Sequence, residues 1–121
     1  MTSFWIPWPP TSNTMFGLNG HRRFVSKTYA DWKDAAGEHL MQQRPDKIDG
    51  PVWISLRLRA PTKRKWDIDN RVKPILDLLV SHQIIEDDNA SIVRRIDVRA
   101  DDDDAPGAHV TVESAAAMDR S

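Results

Sequence analysis

Between Val52 and Arg59 apolar and polar positions alternate without a break. Val52, Ile54, Leu56 and Leu58 fall on one side, and Trp53, Ser55, Arg57 and Arg59 on the other, which predicts a half-buried strand. Upstream, Tyr29, Trp32, Ala36 and Leu40 recur at helical spacing. They predict a helix with one apolar face, capped by Ser26 or Thr28 and ended before Pro45. Downstream, Ile75, Leu76, Leu78, Leu79 and Val80 are too densely apolar for a surface helix, so a buried one is expected. Pro74 is tolerated only in a first turn, which sets the start of that helix near Asn70 to Lys73.

Weaker patterns complete the chain. Phe4 to Trp8 reads as a short strand, held to a sheet edge by Pro7, Pro9 and Pro10. Met15-Phe16 and Arg23-Phe24-Val25 pair as a hairpin around Asn19-Gly20. Ser91 to Arg99 reads as a strand with Ile92, Ile96 and Val98 on one face, and Ala108 to Glu113 as a last strand with Val110 and Val112 inward. Residues 114–121 are expected to fray. The order strand-helix-strand-helix-strand-strand predicts an α+β fold, a single domain over residues 1–121 with a mixed sheet packed by two helices.

Composition narrows the function. The 121 residues contain no cysteine, which excludes disulfides and thiolate metal sites. With no signal peptide or membrane-length apolar run, a cytoplasmic protein is expected. The net charge of −1 hides a strong asymmetry. From Arg57 to Lys73, seven cations stand against Asp67 and Asp69; from Ala100 onward, six acids stand against Arg120 alone. A polyanion responds to the local field rather than the sum.

The chemistry concentrates in Lys63-Arg64-Lys65-Trp66-Asp67-Ile68-Asp69-Asn70-Arg71-Val72-Lys73. Two carboxylates one residue apart sit inside a cationic run. In an extended segment they would lie on one side of the chain, roughly 6.6 Å apart along it. Glu86-Asp87-Asp88 supplies further acids ahead of a strand. Mg²⁺ takes oxygen ligands, usually one or two carboxylates with waters and phosphate oxygens. Asp67, Asp69 and Asp88 are therefore the expected metal ligands, with Mn²⁺ as a substitute cation, and Asp87 and Asn70 as further candidates. Such a centre suits hydrolysis of a phosphodiester, with Lys73 in an electrostatic role. Lys63, Arg64, Lys65 and Arg71 are expected to meet DNA. Arg22 and Arg23 either touch phosphates or are simply solvated. The four histidines show no ligand spacing.

These residues resemble the RusA family of Holliday-junction resolvases. The resemblance is carried by Asp67-Ile68-Asp69-Asn70-x-x-Lys73, by Asp77-Leu78-Leu79 in the apolar helix, and by Asp87-Asp88 ahead of a strand. Pro7-Trp8-Pro9-Pro10-Thr11-Ser12-Asn13 is similar to that family's opening motif, with Thr11 where serine is common. The resemblance implies that Asp67, Asp69 and Asp88 are metal-binding catalytic acids and that Lys73 is a catalytic lysine. Asn13 and Asn70 match further motif positions. It also implies a homodimer that nicks two opposed strands of a four-way DNA junction using Mg²⁺. Either the strand face carrying Trp53 or the aromatic N-terminus, Phe4 and Trp5, is the candidate dimer surface. The same acids serve a nuclease of flaps or forks, and a third reading is a DNA-binding dimer without catalysis. The acidic turn at Asp101 to Asp104 either lies away from the site or repels duplex DNA.

Overall fold

The computed structural model describes residues 1–103 and 105–118. Four strands form one sheet in the order β1-β6-β4-β5: β1 (Thr2–Ile6), β6 (Gly107–Ser114), β4 (Val52–Arg59) and β5 (Val93–Ala100). Here β1 and β4 are antiparallel to β6, and β4 is parallel to β5. A parallel neighbour requires a crossover connection, and α2 (Val72–Ser81) lies in it. A separate two-stranded hairpin joins β2 (Phe16–Asn19) to β3 (Arg22–Val25), ahead of α1 (Lys27–Gln43). The sheet is mixed, as expected.

The alternation of β4 places Val52, Ile54, Leu56 and Leu58 in the core at no more than 1% exposure. Tyr29, Trp32, Ala36 and Leu40 of α1, and Ile75, Leu76, Leu78 and Leu79 of α2, pack in the same cluster. Ser26 caps α1, its hydroxyl accepting from the Tyr29 N–H at 3.1 Å. Arg44, in the left-handed region at φ 50°, ends the helix one residue before Pro45. Pro74 is the third residue of α2, where its missing N–H leaves no bond unmade.

Several expectations shift. The N-terminal strand is Thr2–Ile6 rather than Phe4 to Trp8, because the prolines stop pairing after Ile6. Phe4 faces the core at 6% exposure, so it offers nothing to a partner. Trp5 instead points outward and donates its indole N–H to the Pro106 carbonyl at 3.0 Å. The Gln43 amide bonds both the N–H and the carbonyl of Trp5, at 2.8 and 2.6 Å, covering an outer edge that would otherwise be unpaired. Ile96 remains 37% exposed, since β5 is the sheet's other edge. Ser114 closes β6 and Ala115–Met118 form a helical turn, where fraying was expected; Ala115 is buried. Asp104 and residues 119–121 lie outside the described residues.

Gly107 opens β6 at φ 130°, and a Cβ there would meet the Trp5 indole and the Ile6 carbonyl oxygen. Gly107→Ala is therefore expected to cost about 1–3 kcal/mol from backbone strain, before any clash is counted. Urea unfolding of the two proteins would measure it.

Candidate active site

The loop from Ala60 to Trp66 leaves the end of β4 and carries Lys63, Arg64 and Lys65, all exposed. None of the three makes an ion pair among the described residues. The loop is anchored at its far end. Trp66 meets Trp8 edge-to-face at 5.0 Å, and the Arg71 guanidinium lies 5.0 Å from the Trp8 ring centre. Arg71 also donates to the Pro9 carbonyl at 2.6 Å. This arginine, expected at DNA, ties the N-terminal segment to the loop, and burial lowers its pKa.

The same anchoring brings Ser12 to Asn70, whose amide oxygen accepts from the serine hydroxyl at 3.5 Å. Asn13 is exposed on the neighbouring 3-10 turn, Ser12–Thr14. Arg22 is exposed on β3. Arg23, beside it, stacks over the Phe16 ring at 3.7 Å.

Asp67 is extended at φ −98° and ψ 125°, and Ile68–Arg71 then turn as a 3-10 helix into α2. Asp69 therefore sits in that turn, not in a continued strand, and the spacing expected for an extended pair does not apply. The turn tightens because the chain must reach helical geometry before Pro74. Both carboxylates are exposed, with no hydrogen-bond or charged partner among the described residues.

Asp88 is held differently. The Lys73 ammonium donates to it at 2.9 Å and lies 3.1 Å from Asp77. The Tyr29 hydroxyl of α1 donates to the other Asp77 oxygen at 3.1 Å. The bond to Asp88, then that to Asp77, raises the Lys73 pKa above its usual value. The Lys73 bond is likewise the main reason that the Asp88 pKa is lowered. Asp87 shapes the loop, accepting from the Asp88 N–H at 2.7 Å and the Asn89 amide at 2.9 Å. Glu86 turns away to the Gly50 N–H at 2.8 Å.

The three-carboxylate cage expected from the sequence is not closed by these side chains. Among the described residues, no three acidic or histidine groups gather as a metal site. Asp88 pairs with Lys73 instead, at 2.9 Å. The donor chemistry still fits a hard divalent cation: Asp67 and Asp69 are free oxygen donors, and a cationic group already stands at Asp88.

Asp77, quoted only within the family motif, and Tyr29 were given no role at the site. Asp77 lies four residues after Lys73, a spacing that pairs charges on a helix, so it was readable. Tyr29 was read only as a core residue, and its role needs the packing of α1 on α2.

The Tyr29 hydroxyl is pushed well above its ordinary 10.0, first by burial, then by the Asp77 charge and hydrogen bond. The folded chain keeps this proton where the unfolded chain releases it. Stability is therefore full below about pH 10 and falls as the pH rises past it. Thermal melts from about pH 9 to about 11 should show the wild type losing more stability than Tyr29→Phe.

A family model described as Endodeoxyribonuclease RusA matches residues 7–113. This chain belongs to the RusA family. Curated relatives named crossover junction endodeoxyribonuclease RusA agree at modest identity. The Aquifex aeolicus protein is 31% identical over 81 residues, 66% of this chain and 64% of that protein. The Escherichia coli K12 protein is 27% identical over 95 residues, 78% of this chain and 79% of that protein. A relative from Enterobacteria phage HK97 is 28% identical over 91 residues, 70% of this chain and 72% of that one. The matched RusA region holds the basic loop, Asp67, Asp69, Lys73, Asp77 and Asp88. Among the described residues no helix is long and apolar enough to cross a membrane.

Proposed function

We propose that this chain is a Mg²⁺-dependent endonuclease that resolves four-way DNA junctions by paired, symmetric nicks, acting as a homodimer. The observation that carries it is one exposed stretch of chain in which Lys63, Arg64 and Lys65 are followed directly by Asp67 and Asp69, none of the five side chains having a charged partner among the described residues. The relatives' printed activity, at crossover junctions, points the same way. A pure binder gains nothing from acids in a phosphate-binding patch, since they oppose the contacts that cations make.

Asp67, Asp69 and Asp88 would hold Mg²⁺, or Mn²⁺ in its place. The metal would lower the pKa of a bound water and offset charge on the phosphate. Hydrolysis joins a water oxygen to phosphorus and breaks one phosphorus–oxygen bond, and the leaving oxygen takes a proton. Lys73 has a charge suited to the phosphate oxygens as their negative charge grows. Lys63, Arg64 and Lys65 would hold the flanking backbone, with Arg22 and the exposed Asn13 as outlying contacts. One chain carries one such site, so two opposed cuts call for a two-fold pair. The sheet face with Trp53, whose ring lies 4.9 Å from the Arg95 guanidinium, is the remaining candidate surface for that pair.

The test is cleavage of synthetic four-way junctions with Mg²⁺, beside fork, flap and duplex controls, with the oligomeric state measured by light scattering. Symmetric nicks confined to junctions, made by a dimer, are expected. Cutting of every branched substrate would indicate a broader nuclease, and tight binding with no cuts under Mg²⁺ or Mn²⁺ a non-catalytic binder.

A further inference from the structure

Lys73 has two acidic seats, and only one of them belongs to the proposed metal centre. Its ammonium donates to Asp88 at 2.9 Å and reaches Asp77 at 3.1 Å. The two partners come from different places, Asp88 from the loop after α2 and Asp77 from the next turn of α2 itself. Asp77 is built to receive the charge. Its second oxygen takes the buried Tyr29 hydroxyl at 3.1 Å, and its backbone carbonyl takes the Ser81 hydroxyl at 2.8 Å. Ser81 in turn accepts from Lys33 of α1 at 3.2 Å. These bonds tie Asp77 to the α1–α2 interface and fix its carboxylate at the edge of the core. Asp88 sits on a turn whose bonds are short-range, to Asp87.

We infer that Asp77, steadied by Tyr29, is a positioning residue that takes over the Lys73 ammonium when a divalent cation claims Asp88. This rests on the metal assignment proposed above. In the metal-free chain Lys73 acts as an internal cation that competes for Asp88. A ligand's apparent affinity falls with the fraction of molecules whose site is open. Asp77 raises that fraction by offering the ammonium an alternative partner one oxygen away. It also keeps Lys73 beside the site after the exchange, where a released side chain would swing into solvent. No covalent step is involved; the ammonium, in contact with both carboxylates, gives up Asp88 and keeps Asp77.

The test is Mn²⁺ binding to the full chain without DNA, followed by calorimetry or by the electron paramagnetic resonance signal of free Mn²⁺. Lys73→Gln removes the competitor and is expected to tighten Mn²⁺ binding by about three- to tenfold, as for charged groups in direct contact. Asp77→Asn leaves the ammonium wholly to Asp88 and is expected to weaken binding by a similar factor. In the double variant, Asp77→Asn should have no effect, because the lysine through which it acts is gone. Tyr29→Phe should shift binding in the same direction as Asp77→Asn but less, and it decides the matter if Asp77→Asn does not fold.

If Asp77→Asn weakens Mn²⁺ equally with and without Lys73, Asp77 acts by its charge alone and the inference fails. It fails too if neither Asp77→Asn nor Tyr29→Phe changes the affinity. The Asp88→Asn variant separates this from the metal assignment. It should lose Mn²⁺ affinity by about tenfold or more. Loss in Asp88→Asn with no change in Asp77→Asn overturns only the second seat; unchanged binding in Asp88→Asn overturns both.

Discussion

The Asp69→Asn protein is expected to bind four-way junctions at least as tightly as the wild type, and to cut them on the order of a thousandfold more slowly. Asp69 is exposed in the 3-10 turn and has no hydrogen-bond or charged partner among the described residues. The substitution is nearly isosteric and breaks no bond seen in the structure, so folding should be unaffected. It removes one negative charge close to Lys63, Arg64 and Lys65, which helps the DNA backbone to settle there. It also removes a ligand from the proposed cation. Stabilisation by that cation is worth several kcal/mol, and each 1.4 kcal/mol or so is a factor of ten in rate. Gel shifts in Ca²⁺ and single-turnover cleavage in Mg²⁺ would measure the two effects separately. Cleavage at the wild-type rate would remove Asp69 from the site; weakened binding would show that the carboxylate organises the loop instead.

Local period carried far. Val52 to Leu58 gave a strand with its inward face, Tyr29 to Leu40 gave α1, and Pro74 gave the start of α2 to within a turn. These are properties of a few neighbouring residues against one core, and the core is what selected them. Pairing direction left no such trace. The parallel match of β4 to β5 depends on a crossover, and a crossover constrains length more than residue type. The exposed Ile96 shows the cost: its period is right, but at the sheet edge it is left partly uncovered. In the site, the sequence named Asp67, Asp69, Lys73 and Asp88 but not their conformation. Spacing along the chain does not show that Lys73 pairs with Asp88, because that contact needs the loop after α2 to fold back on the helix. Spacing also did not reveal what anchors Arg71. A cation inside a basic run looks like a phosphate contact, and only the fold brings Trp8 and the Pro9 carbonyl to it.

Replacing Lys63, Arg64 and Lys65 together with alanine is expected to weaken junction binding strongly at low salt and to flatten its salt dependence. Each phosphate contact releases condensed counterions, contributing about 0.9 to the slope of log affinity against log salt. Losing three contacts should therefore reduce the slope by about 2 to 3. The structure supports counting all three, because none makes an ion pair among the described residues. Arg71, bound to Pro9, should contribute little to the slope, and Arg71→Ala should act through loop anchoring and stability. The neighbouring acids sharpen the comparison. Asp101 and Asp102 line the same open cleft, of about 510 Å³, as Arg59, Lys63 and Arg64. Asp101 and Asp102 therefore do not lie away from the basic loop, and their charge would oppose a phosphate backbone laid along it. Asp102→Asn should accordingly raise affinity for plain duplex more than for a junction whose arms approach from another direction. Affinities measured over a salt series, on duplex and on junction, test both halves. An unchanged slope in the triple variant would mean that DNA is held by a different surface of the molecule.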